Sequence, residues 1–168
     1  RGFDTGVLCA DPEHSAFFDH YARSLAGAAH DDARAAPPSR IEGIGRPHAE
    51  PSFIPGCVEA MVKVPDALSL AAMRYVNARL GRRVGGSTGT NVIGVLQVAE
   101  AMRDAGQTGS IVTILCDGGE RYAHSYYNAD WLQAQGFDMT AADAAVRATA
   151  ETGAALPPLR LARRAGTD

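Results

Sequence analysis

The sequence has little lysine, little cysteine and no long apolar run. Lys63 is the only lysine, against fifteen arginines, and the cysteines are Cys9, Cys57 and Cys116. Three scattered cysteines without a CxxC pair do not form a disulfide framework or a zinc motif, so a reduced, cytoplasmic protein is the default expectation. No apolar stretch is long enough for a membrane-spanning helix. We therefore expect no membrane partner.

The chain also lacks a dominant charge. Its 168 residues include 16 basic and 19 acidic side chains, for a net charge of −3. Because no basic stripe stands out, nucleic acid is not an expected partner. The five histidines show no HxH or HxxxH spacing, so no metal is predicted. His124 is interpreted as a helix-start residue. Hydrophobic residues make up 46% of the chain, which is enough for a sizeable core.

Short apolar runs alternate with helical patterns along the chain. Strands are predicted at residues 6–10, 61–64 and 111–116, and the last is a β-branched run expected to be buried on both faces. Helices are predicted at about residues 66–80, with Asp66 as N-cap, and 90–105. Further predictions are a helix within SAFFDHYARSLAG, a Pro-rich loop at 30–39, a loop and helix within GGERYAHSYYNADWLQAQG, a last helix at 140–151 and a tail from 157. The alternation predicts an α/β fold with a mostly parallel sheet flanked by helices, in which strands 6–10 and 111–116 lie parallel.

The segment VGGSTGTNVIG, residues 84–94, precedes one of these helical patterns. It is expected beyond the C-terminal ends of the strands, where α/β folds bind ligands. Three interpretations are open. The segment could be a simple turn in which Ser87, Thr88 or Thr90 caps the helix. It could bind an anion through free backbone N–H groups. Alternatively, a hydroxyl could face a ring nitrogen of a cofactor.

Four motifs in a fixed order carry a family resemblance. They are IEGIG at 41–45, FIPGCVE at 53–59, VGGSTGTN at 84–91 and IVTILCDGGERY at 111–122. Together with DPEHSAFF and YYNADWLQAQGF, they resemble the C-terminal half of the cysteine synthase and cystathionine β-synthase family. These are pyridoxal-phosphate enzymes of the tryptophan-synthase-β fold type. The sequence is most similar to the bacterial branch that includes cysteine desulfhydrases.

The resemblance implies a division of the chain and a set of cofactor contacts. Residues 1–137 would be the C-terminal portion of the cofactor-binding large domain, and residues 138–168 a helix and tail. Ser87 would hydrogen-bond the pyridine nitrogen of pyridoxal phosphate. A serine there, rather than a carboxylate, favours β-elimination or β-replacement over transamination. The remaining implied cofactor-binding residues are Gly43, Ile44, Gly45, Gly86, Cys116 and Asp117.

Two positions depart from the family pattern. Proline is common in the family where Cys116 stands, and we interpret this thiol as a buried, inert cysteine. The segment RPHAEPS is inserted between Gly45 and Phe53, near the family's substrate entrance. Arg46 and His48 in this insertion could meet a substrate carboxylate. The alternative interpretation is that both are solvent-exposed loop residues.

The family's Schiff-base lysine and phosphate-binding loop have no counterpart here. Lys63 lies in MVKVPD, well before the glycine-rich segment, and is a poor substitute. We therefore expect the C-terminal portion of a larger enzyme that acts on cysteine or O-activated serine and is inactive alone. Its expected partners are a small amino-acid substrate, the N-terminal half of the same enzyme and a second copy in a homodimer. The alternatives are a non-catalytic binding or regulatory module and, more distantly, a nucleotide-binding domain, for which the chain lacks a Walker lysine.

Overall fold

A computed structural model describes residues 5–28 and 38–166 of the chain. Within these ranges the protein is α/β, with a small mixed sheet flanked by helices. The Pro-rich loop predicted at 30–39 lies almost entirely outside the described residues. Among the helices in the described part of the chain, none has the length and hydropathy needed to cross a bilayer.

In the described part of the chain, three strands form the sheet, in the order β1 (Leu8–Pro12), β2 (Ala60–Val64) and β3 (Arg160–Arg163). Strand β1 runs parallel to β2, whereas β3 runs antiparallel to β2. The predicted strands at 6–10 and 61–64 are confirmed, each with ends shifted by two residues or fewer. The sheet is mixed rather than mostly parallel, because β3 adds an antiparallel edge. That strand falls where a tail was predicted, since its arginine-rich sequence lacks an apolar run.

The strand predicted at residues 111–116 does not form, and this prediction was wrong. The segment has no ladder partner among the described strands, so it cannot lie parallel to β1. Val112 is 91% exposed and Ile114 is 71% exposed, although the pattern predicted burial on both faces. A β-branched run becomes a buried strand only when neighbours supply backbone hydrogen bonds and cover its faces. The described residues supply no strand that pairs with this segment, and they leave its side chains exposed.

The described residues contain five α-helices, and they confirm the helical patterns. They are α1 (Phe17–Leu25), α2 (Asp66–Leu80), α3 (Gly86–Asp104), α4 (Ala129–Ala134) and α5 (Met139–Thr152). Helix α2 has the predicted bounds and ends at Gly81, which takes the left-handed conformation typical of a helix C-terminus. Helix α3 begins four residues earlier than predicted.

The predicted helix caps were wrong. Pro65 is the N-cap residue of α2, and Asp66 is its first helical residue, with a side chain engaged elsewhere. Gly85 is the N-cap of α3 and makes no side-chain cap hydrogen bond. Ser87, Thr88 and Thr90 lie inside the helix. Their hydroxyls are therefore available for other partners, which removes the simple capping interpretation of the glycine-rich segment.

The described residues form three core clusters. One packs Phe18 and Tyr21 of α1 against Met61 of β2, and the other two meet on α2. Of these two, one lies between the sheet and helices α2, α3 and α5, and includes Val62, Ile93 and Val146. The other lies on a different face of α2 and includes Leu70, Met73 and the buried side chains of Tyr122 and Tyr126. This second cluster on α2 includes residues of the motifs at 41–45, 84–91 and 111–122. Its buried members are Ile41, Leu70, Met73, Val84, Tyr122, Tyr126 and Leu132.

Candidate functional site

Two glycine-containing loops are joined by a short antiparallel bridge. Val84 pairs with Gly118 across this bridge. The Gly85 amide donates to the Asp117 carbonyl at 3.0 Å, and the Gly119 amide donates to the Arg83 carbonyl at 3.2 Å. The loop before α3 is therefore fixed to the loop that follows residues 111–116. These two loops were predicted to lie at one site, and the structure brings them together.

The first turns of α3 also hold the extended segment that precedes Asp117. The Cys116 amide donates to Thr88 Oγ1 at 3.0 Å, and Asn91 Nδ2 donates to the Ile114 carbonyl at 3.0 Å. Cys116 itself is exposed, so the prediction of a buried cysteine was wrong. Its backbone is anchored, and Asn91 Nδ2 of α3 lies 3.5 Å from its sulfur.

Ser87 differs from its two hydroxyl neighbours. Thr88 accepts from Cys116, and Thr90 Oγ1 donates to Ser69 Oγ at 2.8 Å. Ser87 is only 8% exposed. Within residues 5–28 and 38–166 its Oγ has no hydrogen-bond partner, yet it is not sealed from solvent. A nearly buried hydroxyl without a protein partner can accept or donate one hydrogen bond to a ligand.

The segment that contains Gly43, Ile44 and Gly45 is attached to the second cluster on α2. Tyr126 Oη donates to the Arg40 carbonyl at 2.7 Å and accepts from the Glu42 amide at 2.9 Å. Ile44 packs against the aromatic cluster described above. A Cβ on Gly86 would lie 3.2 Å from Ile41 Cγ2. These contacts place the segment next to the start of α3.

Gly45 has a backbone conformation that other residues rarely adopt. Its φ is +76°, and an added Cβ would lie 2.8 Å from Pro12 Cγ and 2.9 Å from Ser39 Cβ. Glycine is therefore required at this turn. The turn lets the chain leave the site toward Arg46.

Two tyrosines link the loops on either side of the site, and sequence reasoning did not single them out. Tyr122 Oη donates to Asp117 Oδ2 at 2.8 Å. Its ring stacks on that of Tyr126 with centroids 4.7 Å apart. Burial, followed by the hydrogen bond to Asp117, raises the pKa of Tyr122, so this phenol remains a proton donor at neutral pH. The only signal in the sequence was the clustering of tyrosines at 122–127.

The two candidate substrate residues are exposed, as the alternative interpretation predicted. Arg46 is exposed, and its guanidinium donates to the Gly45 carbonyl at 2.9 Å. His48 is also exposed and lies 3.3 Å from Glu50 Oε1. His124 occupies an exposed turn, so its assignment to a helix start was wrong. Helix α4 begins after Asn128, whose side chain accepts from the Trp131 amide.

Lys63 is engaged on the sheet. Its ammonium forms an ion pair with Asp19 at 2.5 Å and lies 5.7 Å from the centre of the Phe18 ring. The lysine side chain is only 13% exposed. The one side-chain amine of the chain is thus held between β2 and α1 by a carboxylate.

Comparisons with known proteins agree on one kind of relative. The chain is 50% identical over 138 residues to an L-cysteine desulfhydrase of Mycobacterium tuberculosis, and the match covers 82% of this chain and 36% of that protein. It is 37% identical over 77 residues to a putative cysteine synthase of Sinorhizobium fredii, with 46% of this chain and 22% of that protein covered. It is 31% identical over 148 residues to a putative pyridoxal-phosphate dependent protein of Caenorhabditis elegans, with 79% and 33% covered. No family model matches the chain.

The chain spans about a third or less of the length of these curated relatives. An activity named for a relative therefore belongs to a protein much longer than this 168-residue chain.

Proposed function

Because the chain belongs to the cysteine synthase and cystathionine β-synthase family, we propose that it is the C-terminal part of a pyridoxal-phosphate enzyme. The reaction proposed is β-elimination or β-replacement on cysteine or an O-activated serine. The observation that carries this proposal is the Ser87 hydroxyl, which is nearly buried beside two linked glycine loops and has no partner among the described residues. The desulfhydrase relative supports cysteine metabolism.

Ser87 would hold the pyridine nitrogen of pyridoxal phosphate. The cofactor, when bound, supplies an electron sink for negative charge that develops at the substrate's α carbon. Ser87 offers a neutral hydroxyl rather than a carboxylate, so it does not stabilise a proton on the ring nitrogen. This choice weakens the sink and favours loss of a group from the β carbon.

The neighbouring backbone would shape the slot around the ring. Gly43, Ile44 and Gly45 lie on a segment fixed by Tyr126, and Gly86 lies beside Ile41. Cys116 and Asp117 would form the opposite wall through their backbone, which Thr88 and Gly85 hold in place. The Asp117 carboxylate accepts from Tyr122. That hydrogen bond restrains the carboxylate beside the proposed site.

The amine that links covalently to the cofactor would come from outside this sequence. Lys63 is unsuited to that role because Asp19 pairs with its ammonium and because it lies on β2 rather than in the glycine loops. We therefore propose that the N-terminal half of the same enzyme supplies the lysine and the phosphate-binding loop. A cytoplasmic homodimer with a small amino-acid substrate is the form we propose for the whole protein.

An open cavity supports the proposal that more polypeptide packs here. The cavity of about 1050 Å³ is lined by Leu8 and Ala10 of β1, by α3 and by residues 106–113. Strand β1 is an edge strand among the described residues, and Val112 and Ile114 are exposed. An unpaired strand edge facing exposed β-branched side chains is a surface that an added strand would cover. We propose that the N-terminal half supplies that strand.

Hydrogen exchange tests the covering of this cavity. Amides of residues 111–115 should exchange at least about tenfold more slowly in the longer polypeptide than in the 168-residue chain, because ladder hydrogen bonds protect them. Amides of residues 140–150 in α5 provide the control and should change little. Equal exchange at 111–115 in both proteins would contradict the proposed packing.

Substitution of Ser87 tests the central residue in the longer polypeptide. Ser87→Asp should retain pyridoxal phosphate but lower release of sulfide and pyruvate from cysteine by about tenfold or more, since a carboxylate changes the charge stored in the ring. Ser87→Thr keeps a hydroxyl and should preserve more of the activity. Unchanged turnover in Ser87→Asp would remove Ser87 from the mechanism.

A non-catalytic binding or regulatory module is the second candidate. The ion pair between Lys63 and Asp19 favours the non-catalytic module if the full-length protein has no other suitable amine. The reading frame upstream of Arg1 distinguishes the two candidates. A lysine and a Gly/Thr-rich loop encoded there support the enzyme, and their absence supports the module.

A further inference from the structure

Three potential metal ligands meet where β1 ends and α2 begins. Glu13 and His14 lie in the turn after β1, and Asp66 is the first residue of α2. One ligand atom from each of the three lies within 4.8 Å of the other two. His14 and Glu13 lie 52 and 53 positions before Asp66 in the sequence, so no local motif predicts this cluster.

Asp66 has an oxygen that the protein does not satisfy. The residue is fully buried, with 0% exposure. Its Oδ2 accepts from the Arg40 amide at 3.2 Å, whereas its Oδ1 has no hydrogen-bond partner among the described residues. A buried carboxylate oxygen without a partner costs free energy unless a ligand or a proton satisfies it. The unsatisfied oxygen therefore points to a missing positive partner.

The charges around Asp66 also favour a cation. Glu13 Oε1 accepts from the Asp66 amide at 3.1 Å and lies 3.7 Å from His14 Nε2. The Arg40 guanidinium attracts the Asp66 carboxylate at a distance, but it forms no ion pair with either carboxylate among the described residues, because it donates to the Gln135 carbonyl and lies over the Phe137 ring. The helix N-terminus contributes roughly half a positive charge. Two carboxylates outweigh it when both are ionised.

We propose that Glu13, His14 and Asp66 bind one divalent transition-metal cation, with Zn²⁺ or Co²⁺ as suitable probes. Two carboxylate oxygens and one imidazole nitrogen form a donor set that such ions accept, with metal–ligand distances of about 2.0–2.2 Å. Glu13 and His14 are 39% and 30% exposed on a turn, so they can close on the ion. A fourth position would remain for water.

The ion would stabilise the junction between β1 and α2, next to the proposed cofactor site. Asp66 Oδ2 holds the amide of Arg40, which immediately precedes the 41–45 segment. Binding would join the turn after β1 to the N-terminus of α2 and to that segment. The role is structural positioning, and it does not depend on whether the protein is an enzyme.

Titration of the 168-residue chain with Co²⁺ and then Zn²⁺ tests the site. After treatment with a chelator, the protein should bind one equivalent of Co²⁺, produce visible absorption bands and lose them when Zn²⁺ displaces Co²⁺. His14→Ala should weaken binding by about tenfold or more. Glu13→Gln should do the same while retaining the size of the side chain.

The chain offers a matched control in His48 and Glu50, an exposed pair 3.3 Å apart without a buried carboxylate. His48→Ala should bind Co²⁺ like the unchanged protein. Absence of binding, or equal affinity in His14→Ala and His48→Ala, would overturn the proposal. Because no step uses pyridoxal phosphate, a failed metal titration leaves the proposed function intact, and a failed cofactor test leaves this site intact.

Discussion

The backbone amide of Cys116 donates a hydrogen bond to Thr88 Oγ1 at 3.0 Å. This bond joins the third residue of α3 to the extended segment 111–116. A threonine inside the helix thus serves as an anchor for a stretch that has no ladder of its own. The proposed cofactor wall at Cys116 depends on this contact.

Thr88→Val keeps the shape of the side chain but should detach the Cys116 backbone from α3. The Cys116 amide would lose its acceptor, at a cost of about 1 kcal/mol in the free energy of unfolding. Hydrogen exchange at Cys116 should accelerate, whereas Thr88→Ser should retain most of the protection because it keeps the hydroxyl. Equal exchange rates in the valine and serine variants would contradict the anchoring role.

Tyr126→Phe should loosen the segment that contains Gly43, Ile44 and Gly45. The substitution removes one hydrogen bond to the Arg40 carbonyl and one from the Glu42 amide, with an expected loss of about 1–2 kcal/mol in stability. Tyr122→Phe is the matched control, since it keeps the stacked rings and breaks only the contact to Asp117. Urea unfolding measures both. A smaller loss for Tyr126→Phe than for Tyr122→Phe would be the opposite of the expected order.

Gly89→Ala should prevent normal packing of α3 on α2. An added Cβ would lie 1.8 Å from the Ser69 carbonyl oxygen and 2.9 Å from the Met73 amide nitrogen, so backbone would have to move. We expect a loss of about 3 kcal/mol or more, or failure to fold. Gly109→Ala is the control, because its Cβ would meet only the flexible end of Met102. Thermal unfolding with similar midpoints for the two variants would refute this account of the helix crossing.

Asp19 should make stability depend on pH. Burial alone would raise the pKa of Asp19, but hydrogen bonds from Lys63 and Arg160 lower it below its ordinary value. A carboxylate with a lowered pKa stabilises the folded state above its unfolded pKa, and that contribution disappears as the pH falls through the folded pKa. Asp19→Asn should therefore cost about 1 kcal/mol at pH 7, discounted for partial exposure.

The cost of Asp19→Asn should shrink once the pH is well below about 4, where the unchanged carboxyl also becomes protonated. Urea unfolding at pH 7 and at low pH measures the difference. Asp104→Asn is the control, since Asp104 is 61% exposed beside Arg103 and should contribute little at either pH. A cost for Asp19→Asn that is the same at both pH values would contradict the ion-pair explanation.

Features that neighbouring residues determine were predicted more accurately than features that depend on distant contacts. Helix α2 was predicted with its bounds because local signals, an apolar run and Gly81 at its end, determine where it stops. The two glycine loops were expected at one site because motifs recorded their order. The cap residues were wrong, since a preceding Pro65 and Gly85 decided where the helices begin.

Structure that depends on contacts between distant residues could not be predicted from local sequence patterns. Residues 111–116 have the composition of a buried strand, but burial depends on neighbours that the described part of the chain does not provide. Strand β3 is short, arginine-rich and mostly exposed, so its pairing with β2 decides its conformation. The cluster of Glu13, His14 and Asp66 forms only when β1 and α2 pack together. None of these could be read from spacing.

The attachment point of pyridoxal phosphate tests the central proposal most directly. The longer polypeptide and the 168-residue chain would each be incubated with the cofactor, reduced with borohydride and mapped by peptide mass spectrometry. Our account predicts a reducible visible band in the longer polypeptide, with the label on a lysine outside residues 1–168, and no specific label on Lys63 in either protein. Stoichiometric label on Lys63 with turnover, or a longer polypeptide that binds no cofactor, would contradict it.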